Sequence, residues 1–333
     1  MHGFDEKYQD ITDYILKCTY QIWESREISA IDWHYAKDIK IRTPLGYSEG
    51  NRAGITNTME TLHEFPDRQL FGEDVIWSEH AEYGYLSSHR IISEATHLNQ
   101  GMFGPASGKR LRFRTIADTN CIANAVHEEW LVRDVGAMAR QIGLHPREMA
   151  AQMIAAEGGP EQAKRPFSPQ DDKPGAYKSR GNDSEWGQCA GDMMARLMKA
   201  EFSAVTDAYD RGCHLEHPGG VSAHSTAAAE AFWLGLRSSL PNAVFGIDHA
   251  IGREDPMMPP RAAIRWHLTG KHEGWGTLGA PSGAEIHVMA ISHFEFGPRG
   301  IRREWTVYDE VAVFLLTPVL AGPLWRVALV LGL

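Results

Sequence analysis

Apolar residues along this chain keep two different periods, and the changes from one to the other mark out its elements. Residues 5–27 space Ile11, Tyr14, Ile15, Cys18 and Ile22 three and four apart, with good helix formers and no proline, which predicts a helix. A second helical stretch is predicted over 28–38, then a short extended piece, Ile39–Thr43, ended by Pro44-Leu45-Gly46, and a helix over 50–63 ended by Phe65-Pro66-Asp67. There the period drops to two. Segments 69–79, 85–97, 109–122 and 125–135 alternate and are rich in Val, Ile, Phe, Arg and Thr, as half-buried strands are. Gly101–Gly108 is a turn whose glycines permit positive φ. A helix is predicted over 136–154. Residues 155–187 hold Pro, Gly and charge with little apolar content and read as a long surface strap. A helix over 188–211 then starts the same plan again. Helices followed by a run of antiparallel strands are an α+β signature.

The plan recurs in the residues themselves. Shifted by 175 positions, residues 66–134 lie on 241–309 without a gap. The matches include Arg90/Arg265, His97/His272, Gly101/Gly276, Gly104/Gly279, Ser107/Ser282, Glu129/Glu304, Trp130/Trp305 and Asp134/Asp309. Upstream the register moves by one, and Ile28–Pro44 lies on Phe202–Pro218. The period is too long for a solenoid, so each copy is a domain. The expected division is 5–154, a linker over 155–187, a second domain over 188–317, and an apolar tail over 318–333. A length of 333 residues suits two domains.

Composition narrows the function. A net charge of −10 disfavours nucleic acid or an anionic membrane as partner, because phosphate binding needs clustered Lys and Arg. The basic run Lys109–Arg114 alternates with apolar residues and reads as a strand face. Cys18, Cys121, Cys189 and Cys213 have neither C-x-x-C spacing nor a dense framework, which suits a reduced, cytoplasmic chain. From Val311 to Leu333 the only charge is Arg326, but Pro318, Gly322 and Pro323 break this apolar stretch, so it is expected to pack on the body or on a second copy rather than to span a bilayer. No P-loop, dinucleotide fingerprint or G-x-S-x-G elbow occurs in context.

The repeated residues carry a family likeness. Thr96-His97, Gly101, Phe103-Gly104, Ser107-Gly108-Lys109 and Glu129-Trp130 with Asp134 resemble the SnoaL-like polyketide cyclases, within the wider ketosteroid-isomerase and nuclear-transport-factor-like superfamily. So do Lys271-His272-Glu273-Gly274-Trp275-Gly276, Gly279, Ser282-Gly283 and Glu304-Trp305 with Asp309. The resemblance implies two tandem cones, each a curved antiparallel sheet closed by N-terminal helices and packed back to back as an intrachain pseudo-dimer. It implies chemistry without metal or organic cofactor on a small apolar carbonyl compound: a carboxylate removes a proton next to a ketone, donors hold the enolate oxygen, and the enolate attacks a second carbonyl. Isomerisation, dehydration and hydrolysis are related outcomes.

The candidate catalytic residues are His97 and His272, which match the family's pocket histidine or else cap the turn, together with Asp118 and its counterpart His293. Candidate binding residues are Arg90, Trp130, Arg265, Trp275, Trp305 and His217. Arg90 with Glu129, and Arg265 with Glu304, are also readable as structural ion pairs between strands. Two other classes of function stay open. One is a non-catalytic module that binds a small ligand. The other is a metal enzyme using His214-x-x-His217, for which no third ligand stands at a fixed spacing.

Overall fold

The computed structural model describes residues 1–317; the expected tail 318–333 lies outside them. The chain opens with α1 (Ile11–Thr19), N-capped by Asp10, whose carboxylate accepts from the Asp13 amide. A π-helical turn (Tyr20–Glu24), a 3-10 turn (Ile28–Ala30) and α2 (Ile31–His34) follow. Strand β1 (Tyr35–Thr43) therefore begins inside the expected second helix, because pairing with the rest of the sheet draws this stretch into an extended form: Tyr35 lies beside Val126. Next come β2 (Gly46–Glu49), α3 (Asn51–Glu64) and four long strands, β3 (Gln69–His80), β4 (Gly84–Thr96), β5 (Arg110–Ile122) and β6 (Ala125–Arg133). Two short helices, α4 (Val135–Ile142) and α5 (Pro146–Ala156), replace the single expected helix, because Gly143 terminates one in the left-handed region and His145-Pro146 starts the next.

The second half repeats this order with α6 (Glu185–Met198), α7 (Ser203–Ala208), β7 (Tyr209–His217), β8 (Val221–His224), α8 (Thr226–Ser239), β9 (Val244–Arg253), β10 (Arg261–Lys271), β11 (Glu285–Gly297), β12 (Gly300–Tyr308) and α9 (Glu310–Leu315). The expected helix over 188–211 divides as the first did, and its end becomes β7. The two six-stranded sheets have the same order, β2-β1-β6-β5-β4-β3 and β8-β7-β12-β11-β10-β9. Both are antiparallel except at one place: β1 pairs parallel with β6, and β7 with β12, so each sheet is mixed. No helix among the described residues is long and apolar enough to cross a membrane.

Each sheet uses its two faces differently. The outer face takes the helices. The inner faces meet each other, burying Ile116, Val132, Met289, Ile291 and Val307 in one cluster and Ile76, Leu86, Ile251 and Ala263 in another. This is the expected tandem α+β pseudo-dimer. The strap is not merely superficial, however. It plants Phe167 in the first cluster and Tyr177 in the second, and Asp172 and the Lys173 carbonyl accept from the buried Arg42 guanidinium.

Candidate active site

A cavity of about 1020 Å³ opens on the helix-covered face of the first sheet. Strand alternation decides what lines it. On β6 the wall residues are Glu129, Leu131 and Arg133; on β5, Thr115, Ala117 and Thr119; on β4, His89 and Ile91. Register sets them in rows: Glu129 opposite Thr119, Leu131 opposite Ala117 and then His89, Arg133 opposite Thr115 and then Ile91. Asn57 and Thr58 from α3, and Tyr35 and Ile41 from β1, complete the wall.

Glu129 is the chemically prominent group. Burial pushes its carboxyl up to about 7, and the Tyr35 hydroxyl and the Arg133 charge offset that only in part. His89 is pushed the other way, to about 4, by burial and then by the Arg90 charge, so its imidazole is neutral. The Nε2 of His89 and the hydroxyl of Thr115 are buried with no partner among the described residues. A half-ionised carboxyl and unpaired polar groups in one apolar cavity are equipped for proton transfer at carbon and for holding an oxyanion.

The expected site residues lie elsewhere. His97 sits at the hairpin after β4, with Nδ1 3.0 Å from the Ser107 hydroxyl and Nε2 3.3 Å from Glu64. Glu64 also accepts from the Met102 and Phe103 amides. His272 repeats this, with Nδ1 3.1 Å from the Ser282 hydroxyl, while Ser239 accepts from the Leu278 amide. Gly101 is required here, since a Cβ would collide with the Glu64 carboxyl group. Both histidines are wholly buried and fasten the turn; neither lines the cavity.

Asp118, His293, Arg90, Arg265, Trp130 and Trp305 lie on the opposite, inner face of the sheets. They form two crossed clusters between the repeats. Arg265 Nη1 donates to Asp118 at 2.7 Å, and its guanidinium lies 3.8 Å from the centre of the Trp130 ring. Arg90 lies 3.6 Å from the centre of the Trp305 ring, with Nη1 3.0 Å from His293 Nδ1, and His293 Nε2 meets the Ser88 hydroxyl at 2.7 Å. The expected pairing of Arg90 with Glu129 and of Arg265 with Glu304 is thus corrected: these side chains are on opposite faces, and Arg90 instead donates to Glu73 at 3.1 Å. Asp118 is likewise no cavity base, because its carboxylate is committed to Arg265.

The remaining candidates are equally displaced from the cavity. Trp275 is 69% exposed. His217 stacks on Phe232 at 3.7 Å and approaches Glu304 at 3.3 Å. His214, three residues away on β7, points to the other face and contacts Glu216 and Ser222, so the two histidines do not converge on a metal. Among the described residues no group of three or more His, Cys, Asp or Glu has metal-binding geometry.

Sequence reasoning missed Glu129 as a site because its recurrence beside a tryptophan suggested structure. The available signal was parity: Glu129 and Trp130 point to opposite faces, so if one tryptophan packs the interface, the glutamate must face the cavity.

Residues 190–315 match the family model described as SnoaL-like polyketide cyclase. No curated protein matches the sequence. Solved structures similar to this chain include IdmH from Streptomyces antibioticus, at 19% identity over 40% of this chain and 98% of that one, with a TM-score of 0.35. TsrD from Streptomyces laurentii is 14% identical over 40% of this chain and 94% of its own, also at 0.35. A SnoaL-like polyketide cyclase from Agrobacterium tumefaciens is 18% identical over 39% and 95%, at 0.31.

Proposed function

Starting from a second repeat that is SnoaL-like, we propose that the first repeat is the active one and catalyses cofactor-independent proton transfer on a carbonyl compound, with Glu129 as the base. The observation that carries this reading is the Glu129 carboxyl, buried in the cavity wall and raised to about 7. Above that value the carboxylate takes the proton from the carbon next to a ketone. The C–H electrons pass into the enolate, whose oxygen is met by the Thr115 hydroxyl and His89. The enolate carbon then adds to a second carbonyl of the same molecule, forming a C–C bond, and the new alkoxide recovers the proton from Glu129. The sum is an isomerisation that needs no co-reactant. An isomerisation without ring closure uses the same first step.

The test is solvent-deuterium incorporation into cyclic ketones and β-keto esters, followed by NMR. Glu129→Gln is expected to lower exchange about 10²–10⁴-fold, while Asp118→Asn in a folded protein leaves a cavity reaction in place. The rate should rise with pH through about 7, as Glu129 ionises. Exchange that survives Glu129→Gln would end the assignment.

A further inference from the structure

Two arginines in the cavity wall take no step in that chemistry, although the charge of one, Arg133, acts on Glu129. Arg68, just before β3, is 2% exposed. Its Nε and Nη2 reach the Ser93 hydroxyl at 3.3 and 3.1 Å, its guanidinium lies 4.5 Å from the centre of the Trp23 ring, and Nη1 has no partner among the described residues. Arg133, at the end of β6, has an equally buried and unpartnered Nε. Burial lowers the pKa of both, that of Arg68 well below the usual range, with the charge of Arg133 adding to the effect. A guanidinium nevertheless stays charged in a protein, and a buried one without a counter-charge is costly.

The neighbouring carboxyls, Glu24 toward Arg68 and Glu64, Asp309 and Glu129 toward Arg133, act only at a distance, and none is in ion-pair contact with either guanidinium. Glu64 is held by the Met102 and Phe103 amides. Asp309 caps α9 through the Val311 and Ala312 amides, and burial pushes it up to about 7, as it does Glu129. Neither arginine forms an ion pair among the described residues, and residues 318–333 contain no Asp or Glu. Nor does the fold need these charges. At the equivalent positions the second repeat has Ala243 and Tyr308.

We infer that Arg68 and Arg133 form a subsite for a carboxylate, so that the molecule bound in this cavity is a carbonyl compound with a carboxylate at one end. Arginine's planar fork matches a carboxylate with two parallel hydrogen bonds, which explains guanidinium groups where a neutral ligand would need none. The carboxylate rests on the arginines alone; that the ligand is a carbonyl compound, and which end reacts, rests on the reading of Glu129 as base. Glu129 and Arg133 are four residues apart on one face of β6, up to about 13 Å along the strand. The acidic carbon and the carboxylate are therefore to be separated by a few fused rings or an extended chain of that reach.

The test compares 2-naphthoate with methyl 2-naphthoate at pH 7.5, by calorimetry and by quenching of Trp fluorescence, on the unmodified full chain. The acid is expected to bind about 10- to 100-fold more tightly, as a charged hydrogen-bonded contact should. Arg68→Gln and Arg133→Gln should each erase that preference and leave the ester's affinity in place, and Arg68→Lys should keep part of it. An ester that binds as well as the acid, a preference that survives both substitutions, or no measurable binding of the acid would overturn the inference. The acid–ester comparison needs no variant, so misfolding of a mutant does not protect the idea. Arg-dependent binding of the acid with no deuterium exchange in any keto acid would leave the subsite standing and remove the proton-transfer reading. Exchange in ketones lost in Glu129→Gln, together with an acid that binds no better than its ester, would do the reverse.

Discussion

In the first repeat Thr58, Ile91 and Thr119 surround a cavity of about 1020 Å³; in the second, Trp233, Trp266 and Phe294 stand at the same places. Trp233 and Trp266 are wholly buried, 5.8 Å apart between ring centres, with Phe245 and Phe232 against them. The shared glutamate changes character with its surroundings. Burial alone would raise Glu304, but His217, Thr306 and Tyr209 outweigh it, and its carboxyl is held below the usual range. Glu129 has an open cavity in front of it and rises instead. One sheet is filled by aromatic rings, while the other faces a cavity that holds Glu129 and His89. The family model matches the filled copy, over residues 190–315.

Three experiments would break or sharpen that contrast. Trp266→Ala should cost about 3–5 kcal/mol, the range for emptying a packed aromatic site, whereas Ile91→Ala opens onto an existing cavity and should cost less than the usual ~2–5 kcal/mol. Chemical denaturation measures both, and equal losses would mean that the first repeat is packed too. The next effect concerns pH. A carboxyl raised in the folded state holds its proton there longer than in the unfolded chain, so its contribution to stability is present at low pH and is lost as pH rises from the ordinary 4.5 through about 7. Glu129→Gln removes that loss. Its melting temperature relative to the unmodified protein should climb between about pH 5 and pH 8, by an amount worth roughly 3 kcal/mol; a flat difference would place Glu129 in contact with water. The smallest change is Thr58→Trp, which copies the second repeat's filling into the first. It should weaken binding of an aromatic ligand about tenfold or more, with the melting temperature kept, and unchanged binding would mean that ligands enter elsewhere.

Much of this architecture was legible in the chain. The period-two segments fall on β3 to β6 within a residue or two, and the 175-residue shift pairs β3–β6 with β9–β12. The parallel β1–β6 pairing was not, because a short strand such as Tyr35–Thr43 takes its partner from the rest of the sheet rather than from local spacing. The site was harder still. His97, His272 and the Arg/Trp pairs recur because the turn and the interface need them twice. Glu129 recurs as well, but its role follows from what does not recur: the loss of Trp233, Trp266 and Phe294 from its surroundings.

The crossed clusters between the sheets have a further consequence. Asp118 and His293 occupy equivalent positions, yet one meets an arginine as its counter-ion and the other meets an arginine as a neutral ring. Two identical copies of the second repeat would set Arg265 against a histidine twice over, with no acid to receive it; two copies of the first would gain a second Asp–Arg contact and lose the imidazole that Arg90 now meets. The two halves have become left and right hands. Severed from the first repeat, the second would have no acid for Arg265, and the covalent strap keeps the half that supplies Asp118 always at hand.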